Sequence, residues 1–153
     1  MSSFEEKGVI TVRNVRILVA DDMETWRDYI SSMLQNEPSF EIICQVVDGL
    51  EAVLGAKQHQ PTIALLDIGL PRMSGIDAAR SIKTLAPNTE IVFLSEQRDI
   101  DVIQTALDLG SGYVLKSDAA SDLIAAIHAV ARGDTFISRQ LAGLGITSER
   151  KRV

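Results

Sequence analysis

Residues 63–67 read IALLD, a short apolar run that shows no alternation and ends at an acidic residue. Apolar runs of this kind are typical of strands that are covered on both faces, as in a parallel sheet. Most of the other candidate strands share the pattern; they are residues 16–20, 40–46, 90–94 and 113–115. The chain therefore carries five candidate strands for one parallel sheet.

The segments between these strands have the spacing of amphipathic helices. In residues 26–34 the apolar side chains fall at i, i+3, i+4, i+7 and i+8, which predicts that Trp26 and Tyr29 face the core. Shorter stripes lie in residues 50–54, 76–85, 100–107 and 123–130. Strand and helix thus alternate five times, and right-handed crossovers between parallel strands predict a doubly wound α/β sheet.

The composition is that of one globular domain with a little additional chain. Of the 153 residues, 46% are hydrophobic and 24% are charged, which excludes the disordered class. Asp and Glu together number 21 against 15 Lys and Arg, so the net charge is −6. An acidic chain is not built to bind nucleic acid over its whole surface.

Cysteine and histidine are too few for an internal disulfide or a zinc site. We expect Cys44 to be a small buried hydrophobe, and His59 and His128 to be structural or solvated. No apolar run reaches the roughly 18 residues that a membrane span needs, and residues 1–7 lack the apolar stretch of a signal peptide. The default expectation is a cytoplasmic protein with no membrane partner.

Residues able to do chemistry follow four of the five strands. Asp21 and Asp22 follow the first strand, Asp67 the third, Ser95 the fourth and Lys116 the fifth. Sites in open α/β sheets lie at the carboxyl ends of the strands, so these side chains are expected at one edge. Each has a simpler alternative, since Asp22 could cap the first helix and Lys116 could be solvated. The set of five makes a functional cluster the better interpretation.

The cluster has the chemistry of a phosphoacceptor. Neighbouring carboxylates repel each other unless a cation is present, and a few oxygen ligands with remaining water positions favour Mg²⁺ over Ca²⁺. A carboxylate whose charge is shared by a metal can act as a nucleophile and form an acyl phosphate. Lys116 and Ser95 would then neutralise and bind the phosphoryl oxygens.

Four segments carry a resemblance to a known family. They read LVADD at 18–22, LLDIGLPRMSG at 65–75, FLS at 93–95 and GYVLK at 112–116. Over residues 14–133 the chain resembles the receiver domain of bacterial two-component response regulators. The resemblance implies a flavodoxin-like (βα)5 fold, with a five-stranded parallel sheet in the order 2-1-3-4-5.

The resemblance also implies the roles of the acidic residues. Asp67 would accept a phosphoryl group from a sensor histidine kinase, beside Lys116. Asp22 would ligate Mg²⁺ directly and Asp21 mainly through water, and Asp67 and the backbone carbonyl of Gly69 would complete the protein ligands. Such a domain is a phosphoacceptor that loses its phosphate slowly, so we do not expect an enzyme with a separate substrate.

Ser95 and Tyr113 would form the conformational switch of such a domain. When phosphate draws the Ser95 hydroxyl inward, Tyr113 would follow it and alter the surface around the last strand. Two positions depart from the commonest family pattern. Ser117 follows Lys116 where many receivers have proline, which leaves the usual cis peptide in doubt. Glu96 follows Ser95 where a small residue is common, and could narrow access to Asp67.

The two ends of the chain extend beyond this domain. Residues 1–14 are interpreted as a leader and 15–133 as the receiver domain. Residues 134–153 resemble the linker and the opening of a LuxR-type (NarL/FixJ) helix-turn-helix output domain, with Thr147 as a helix N-cap. DNA would be bound only through that output domain, which is absent from this sequence. A second receiver, in a homodimer formed on phosphorylation, is the other expected partner.

Four further interpretations stay open at this point. A small-molecule phosphatase or phosphotransferase with Asp67 as its nucleophile would need a second acid and an enclosing cap, for which no insertion is long enough. A stand-alone receiver is the second alternative, and a phosphate-independent adaptor, which would not need the acidic residues that are present, is the third. A flavin-binding protein would need a phosphate loop after the first strand, where Asp21 and Asp22 would repel phosphate.

Overall fold

The computed structural model describes residues 15–146. The predicted leader at 1–14 and the predicted N-cap at Thr147 lie outside these residues. Within the described range there is no cis peptide bond, so the bond between Lys116 and Ser117 is trans. None of the helices described there has both the length and the apolar character that a membrane crossing requires.

The strands form one parallel sheet in the order β2-β1-β3-β4-β5-β6. Their bounds are β1 Val15–Ala20, β2 Phe40–Val46, β3 Ile63–Leu66, β4 Glu90–Ser95, β5 Gly112–Leu115 and β6 Phe136–Ile137. The predicted fold class and the order 2-1-3-4-5 are confirmed, with one additional strand at the β5 edge. Strands β3 and β5 are buried along their whole length, as unalternating apolar runs predict.

Helices connect the strands on both faces of the sheet. They are α1 Glu24–Gln35, α2 Gly49–His59, α3 Gly75–Leu85, α4 Ile100–Leu109, α5 Ala119–Ala131 and the short α6 Arg139–Ala142. Asp48, Ser74 and Asp99 cap α2, α3 and α4 by accepting backbone N–H bonds. Met23 rather than Asp22 is the N-cap of α1, so Asp22 is not a capping residue.

Two hydrophobic cores enclose the sheet. Leu18 and Leu66 face the core beneath α2, α3 and α4, whereas Ile17 and Leu65 face the core beneath α1 and α5. Adjacent residues of one strand point to opposite faces, which explains why the strands are apolar throughout. The prediction that Tyr29 faces the core is wrong, because its side chain is 43% exposed. The apolar residues of α1 span more of the helix surface than the sheet covers, so Tyr29 lies outside the buried part.

The sixth strand was not predicted. After Gly133 the chain turns and pairs with β5: the Phe136 N–H donates to the Ser111 carbonyl, and the Ser138 N–H donates to the Tyr113 carbonyl. The Ser138 hydroxyl accepts a hydrogen bond from the N–H of Leu115 at 2.8 Å, so this backbone donor on the outer edge of β5 is also paired. Two paired residues are too short a segment to show a hydrophobic period, so β6 could not be predicted from its sequence pattern.

Candidate functional site

The predicted side chains meet at the carboxyl edge of the sheet. Asp21 and Asp22 follow β1, Asp67 follows β3, Ser95 ends β4 and Lys116 follows β5. Parallel strands that lie side by side end at the same edge, so residues separated by nearly a hundred positions become neighbours. The local geometry is therefore set by the order of the strands.

The three aspartates form a compact group of oxygen donors. One carboxylate oxygen from each of Asp21, Asp22 and Asp67 lies within 4.8 Å of the others. Asp21 is buried, Asp67 is partly buried and Asp22 is exposed. An all-oxygen donor set that is open to water on one side fits a hard divalent cation such as Mg²⁺. The residues present therefore suit the metal that the sequence predicts.

Lys116 bridges two of these carboxylates. Its Nζ atom lies 2.8 Å from Asp21 Oδ2 and 3.1 Å from Asp67 Oδ2, and the lysine side chain is only 4% exposed. Burial by itself would lower the pKa of Lys116. The hydrogen bond to Asp21 and the charges of Asp67 and Asp21 outweigh burial, and the pKa is raised above its usual value. The ammonium is therefore held charged beside Asp67.

A cleft of about 260 Å³ opens beside Asp67, and we call it the acceptor cleft. Its lining residues are Met23, Asp67, Ile68, Gly69, Ser95, Glu96, Gln97 and Lys116. Four of the predicted site residues thus face one opening. The exposed Glu96 also lines this cleft, which gives the predicted narrowing a structural basis without testing it.

Gly69 lies on the open side of the acceptor cleft. Its N–H donates to Asp67 Oδ1 at 3.3 Å, and no atom beyond the adjacent residues lies within 4 Å of the position that a Cβ would occupy. The backbone of Gly69 is therefore close to the carboxylate and unobstructed by a side chain. This position is compatible with the predicted role of its carbonyl as a cation ligand.

Ser95 and Tyr113 are joined through the backbone of Gln97. The Ser95 hydroxyl accepts the Gln97 N–H at 3.1 Å, and the Tyr113 hydroxyl donates to the Gln97 carbonyl at 2.8 Å. Tyr113 is fully buried. Burial is the main cause that raises the pKa of Tyr113 to about 12; a hydrogen bond with Ser95 opposes the rise and the charge of Asp67 adds to it. The two predicted switch residues thus touch the same loop.

Two glycines hold the loop after Asp67 against its neighbours. A Cβ on Gly75 would lie 2.1 Å from the Asp67 carbonyl oxygen, and a Cβ on Gly49 would lie 1.9 Å from the Met73 carbonyl oxygen. The helices α3 and α2 can therefore begin here only with glycine. The sequence alone did not indicate that these two glycines pack against the site.

Trp26 is the other residue whose place at the site was missed. Its ring centroid lies 4.8 Å from Lys116 Nζ, although the sequence predicted a core contact. The indole is partly buried and also packs against the core beneath α1 and α5. An apolar stripe indicates which face of a helix is buried, but it does not identify the residues of other elements that pack against that face.

The remaining candidates lie outside the acidic group. His128 Nε2 lies 2.9 Å from Glu37 Oε1, and its ring is 4.8 Å from that of Phe40, so it has a structural environment. His59 ends α2 and is partly buried. Cys44 is partly rather than fully buried, because it lies on the edge strand β2 where one side of the sheet ends.

Comparisons with known proteins agree with this geometry. Residues 17–128 match the family model described as the response regulator receiver domain. The chain is 31% identical over 129 residues to the transcriptional regulatory protein DegU of Brevibacillus brevis, covering 84% of this chain and 55% of DegU. It is 40% identical over 116 residues to the transcriptional regulatory protein PdtaR of Mycobacterium tuberculosis, covering 74% of this chain and 55% of PdtaR.

Solved structures show the same similarity. A LuxR-family two-component response regulator from Aurantimonas sp. SI85-9A1 superposes with a TM-score of 0.81 at 26% identity, over 85% of this chain and 94% of that one. The signal receiver domain of the putative response regulator NarL from Mycobacterium tuberculosis gives a TM-score of 0.74 at 27% identity, over 78% of this chain and 98% of that one. The chain spans 55% of the length of DegU and 55% of the length of PdtaR, so both relatives are longer than this chain.

Proposed function

Because the chain belongs to the receiver domain family of NarL/LuxR-type response regulators, we propose that Asp67 accepts a phosphoryl group from a sensor histidine kinase. The observation that carries this proposal is the double contact of Lys116 with Asp21 and Asp67 at the wall of the acceptor cleft. A buried ammonium beside an accessible carboxylate provides charge neutralisation where three phosphoryl oxygens would arrive.

The transfer exchanges one bond of phosphorus for another. The bond between phosphorus and the leaving atom of the donor breaks, and a bond from phosphorus to an Asp67 carboxylate oxygen forms. The leaving group keeps the electron pair; it is the imidazole of a phosphohistidine or the acetate of acetyl phosphate. Attack of water on phosphorus later restores the carboxylate and releases inorganic phosphate. These two steps are the whole chemistry proposed, so the chain is not an enzyme with a separate substrate.

A cation completes the proposed site. Asp21, Asp22, Asp67 and the backbone carbonyl of Gly69 would hold Mg²⁺, in keeping with the compact oxygen group described above. The metal supplies positive charge that offsets the repulsion between the acidic residues and the incoming phosphoryl group. Lys116 and the Ser95 hydroxyl would bind the phosphoryl oxygens that face away from the metal ligands.

Phosphorylation would be signalled through Ser95 and Tyr113. A hydroxyl that turns toward a phosphoryl oxygen gives up its bond to the Gln97 N–H. Gln97 also accepts the Tyr113 hydroxyl, so a shift of this loop would release the tyrosine. The differential contact that a population shift requires is supplied by the new charge and acceptor oxygens at Asp67.

The conformational change would control an output domain. Relatives such as DegU and PdtaR are named transcriptional regulators and are longer than this chain. We propose that the full protein binds DNA through a helix-turn-helix domain after the linker, and that phosphorylated receivers pair as homodimers. A histidine kinase as phosphodonor would make the cytoplasm its compartment. The principal alternative is a receiver that binds partners without phosphate.

Intact-mass measurement after incubation with acetyl phosphate and Mg²⁺ tests the proposal. We expect the chain to gain one phosphoryl group, and Asp67→Asn to abolish the gain. Asp108→Asn, at an exposed carboxylate on α4, is the matched control and should be phosphorylated like the wild type. An unmodified wild type would favour the phosphate-independent adaptor instead.

A further inference from the structure

The indole of Trp26 contacts the ammonium that the proposed reaction uses. The ring centroid lies 4.8 Å from Lys116 Nζ, which is within the range of a cation–π contact. Trp26 is the only tryptophan in the sequence, and it lies in the first turn of α1, two residues after the helix begins. Its ring is not part of the acceptor cleft, so it meets Lys116 from outside that opening.

The indole ring is the third contact of the Lys116 ammonium, beside two carboxylates. An ammonium has three N–H donors. Two carboxylates, Asp21 at 2.8 Å and Asp67 at 3.1 Å, are its hydrogen-bond acceptors among residues 15–146. The negative face of the indole is its third partner there.

Of these three partners only the indole is unchanged during the proposed reaction. A bound cation would share the charge of Asp21 and Asp67, and phosphorylation would convert Asp67 into an acyl phosphate. Both events weaken or redirect the hydrogen bonds that hold the ammonium. The quadrupole of an aromatic ring does not depend on either event, so the contact with Trp26 persists.

The Lys116 side chain has a second cleft into which it could turn. A second cleft of about 360 Å³ is bordered by Trp26, Lys116 and the exposed Glu96. A lysine carries its charge on a flexible four-carbon stem. Without the indole, the ammonium would have space to move into this second cleft, which Glu96 and Arg98 also line.

We propose that Trp26 is a positioning residue, whose indole face keeps the Lys116 ammonium beside Asp67 while the phosphoryl group is transferred. The proposal rests on the proposed function, since Lys116 matters here only as the cation that receives phosphoryl oxygens. It adds a residue of α1 to a site built from the ends of the strands.

The test measures the rate of phosphorylation of the full chain by acetyl phosphate at saturating Mg²⁺, followed by intact mass. Trp26→Leu, which keeps an apolar side chain without an aromatic face, should slow the reaction about ten-fold, and Trp26→Phe should stay within about three-fold of wild type. Tyr29→Leu is the matched control and should change the rate less than about two-fold. Tyr29 meets the Trp26 ring edge-on at 5.5 Å.

A second variant and a second background keep the result decisive. Trp26→Met fills apolar space flexibly and should lose as much rate as Trp26→Leu, which covers the case in which the leucine variant does not fold. In a Lys116→Met background, Trp26→Leu should cause no further loss, because Trp26 acts through Lys116.

The outcomes separate the two proposals. If the wild type is phosphorylated and Trp26→Leu and Trp26→Met react at its rate, the positioning role is overturned and the proposed function stands. An additive loss in the Lys116→Met background, or no rescue by Trp26→Phe, also overturns the positioning role. If the wild type gains no phosphate, the proposed function fails and takes the positioning role with it.

Discussion

The Nζ atom of Lys116 forms a buried ion pair with Asp21 Oδ2 at 2.8 Å, shorter than its 3.1 Å contact with Asp67. The lysine is therefore anchored on the buried carboxylate and leans toward the more accessible one. Asp67 keeps an approach from the acceptor cleft, and the positive charge of Lys116 already lies beside it. Under the proposed function, the ion pair would prepare the site before a phosphodonor arrives.

Removing the Lys116 ammonium should make the stability of the fold depend on bound Mg²⁺. Lys116→Met leaves Asp21 and Asp67 without their ammonium, and we expect a loss of about 3 kcal/mol in the free energy of unfolding without Mg²⁺. Added Mg²⁺ should stabilise the variant more than the wild type, because the ion replaces the missing charge. Urea unfolding with and without Mg²⁺ measures both, with Lys57→Met, at an exposed lysine of α2, as the control. Equal stabilisation of variant and wild type by Mg²⁺ would contradict the prediction.

Tyr113 should make stability depend on alkaline pH. Its pKa is about 12 in the folded protein against an ordinary value of 10.0, so between these values the unfolded chain binds fewer protons at this residue than the folded chain does. Stability from Tyr113 is then fully present below pH 10, and about 2–3 kcal/mol of it is lost as pH rises to about 12.

The comparison of two tyrosine variants isolates this effect. In urea unfolding from pH 8 to 12, Tyr113→Phe should lose less stability than the wild type, whereas Tyr29→Phe should follow the wild type. At pH 8, Tyr113→Phe should already be about 1 kcal/mol less stable, because the Gln97 carbonyl loses its donor. Parallel pH profiles for Tyr113→Phe and the wild type would rule the effect out.

A methyl group on Gly75 should disturb the site, whereas one on Gly69 should not disturb the fold. The Gly75 Cβ would lie 2.1 Å from the Asp67 carbonyl oxygen, and the contact is with backbone, which cannot move aside cheaply. Gly75→Ala should therefore cost about 3 kcal/mol or more in urea unfolding. Gly69→Ala meets no atom beyond the adjacent residues within 4 Å and should change stability by less than about 0.5 kcal/mol. A similar cost for both variants would contradict the close packing of α3 on Asp67.

Ser138 should couple the sixth strand to the site edge. Its buried hydroxyl accepts the N–H of Leu115, the residue before Lys116, at 2.8 Å. Ser138→Ala leaves this N–H without a partner and should cost about 1–3 kcal/mol. Amide exchange at Leu115 should accelerate as well. Ser32→Ala, at an exposed serine of α1, should change neither quantity, and unaltered exchange at Leu115 in Ser138→Ala would count against the coupling.

The sequence by itself determined the parallel sheet and the residues at its carboxyl edge. Unalternating runs such as 63–66 report burial on both faces, and the residue after each run must lie where the strand ends. Asp21, Asp67 and Lys116 could therefore be grouped without knowing a single distance. The strand order 2-1-3-4-5 was implied by the resemblance to receiver domains rather than by this local pattern, and the structure confirms it.

Only the tertiary structure decided which of these groups touch and what surrounds them. The choice of Asp21 as the closer partner of Lys116, the indole against the same ammonium and the backbone of Asp67 against Gly75 all depend on how separate segments pack. So does β6, whose two residues are held by the open edge of β5 rather than by their own pattern. Hydrophobic periodicity indicates which face of a helix or strand is buried. Contacts between segments that are distant in sequence depend instead on how closely their side chains pack.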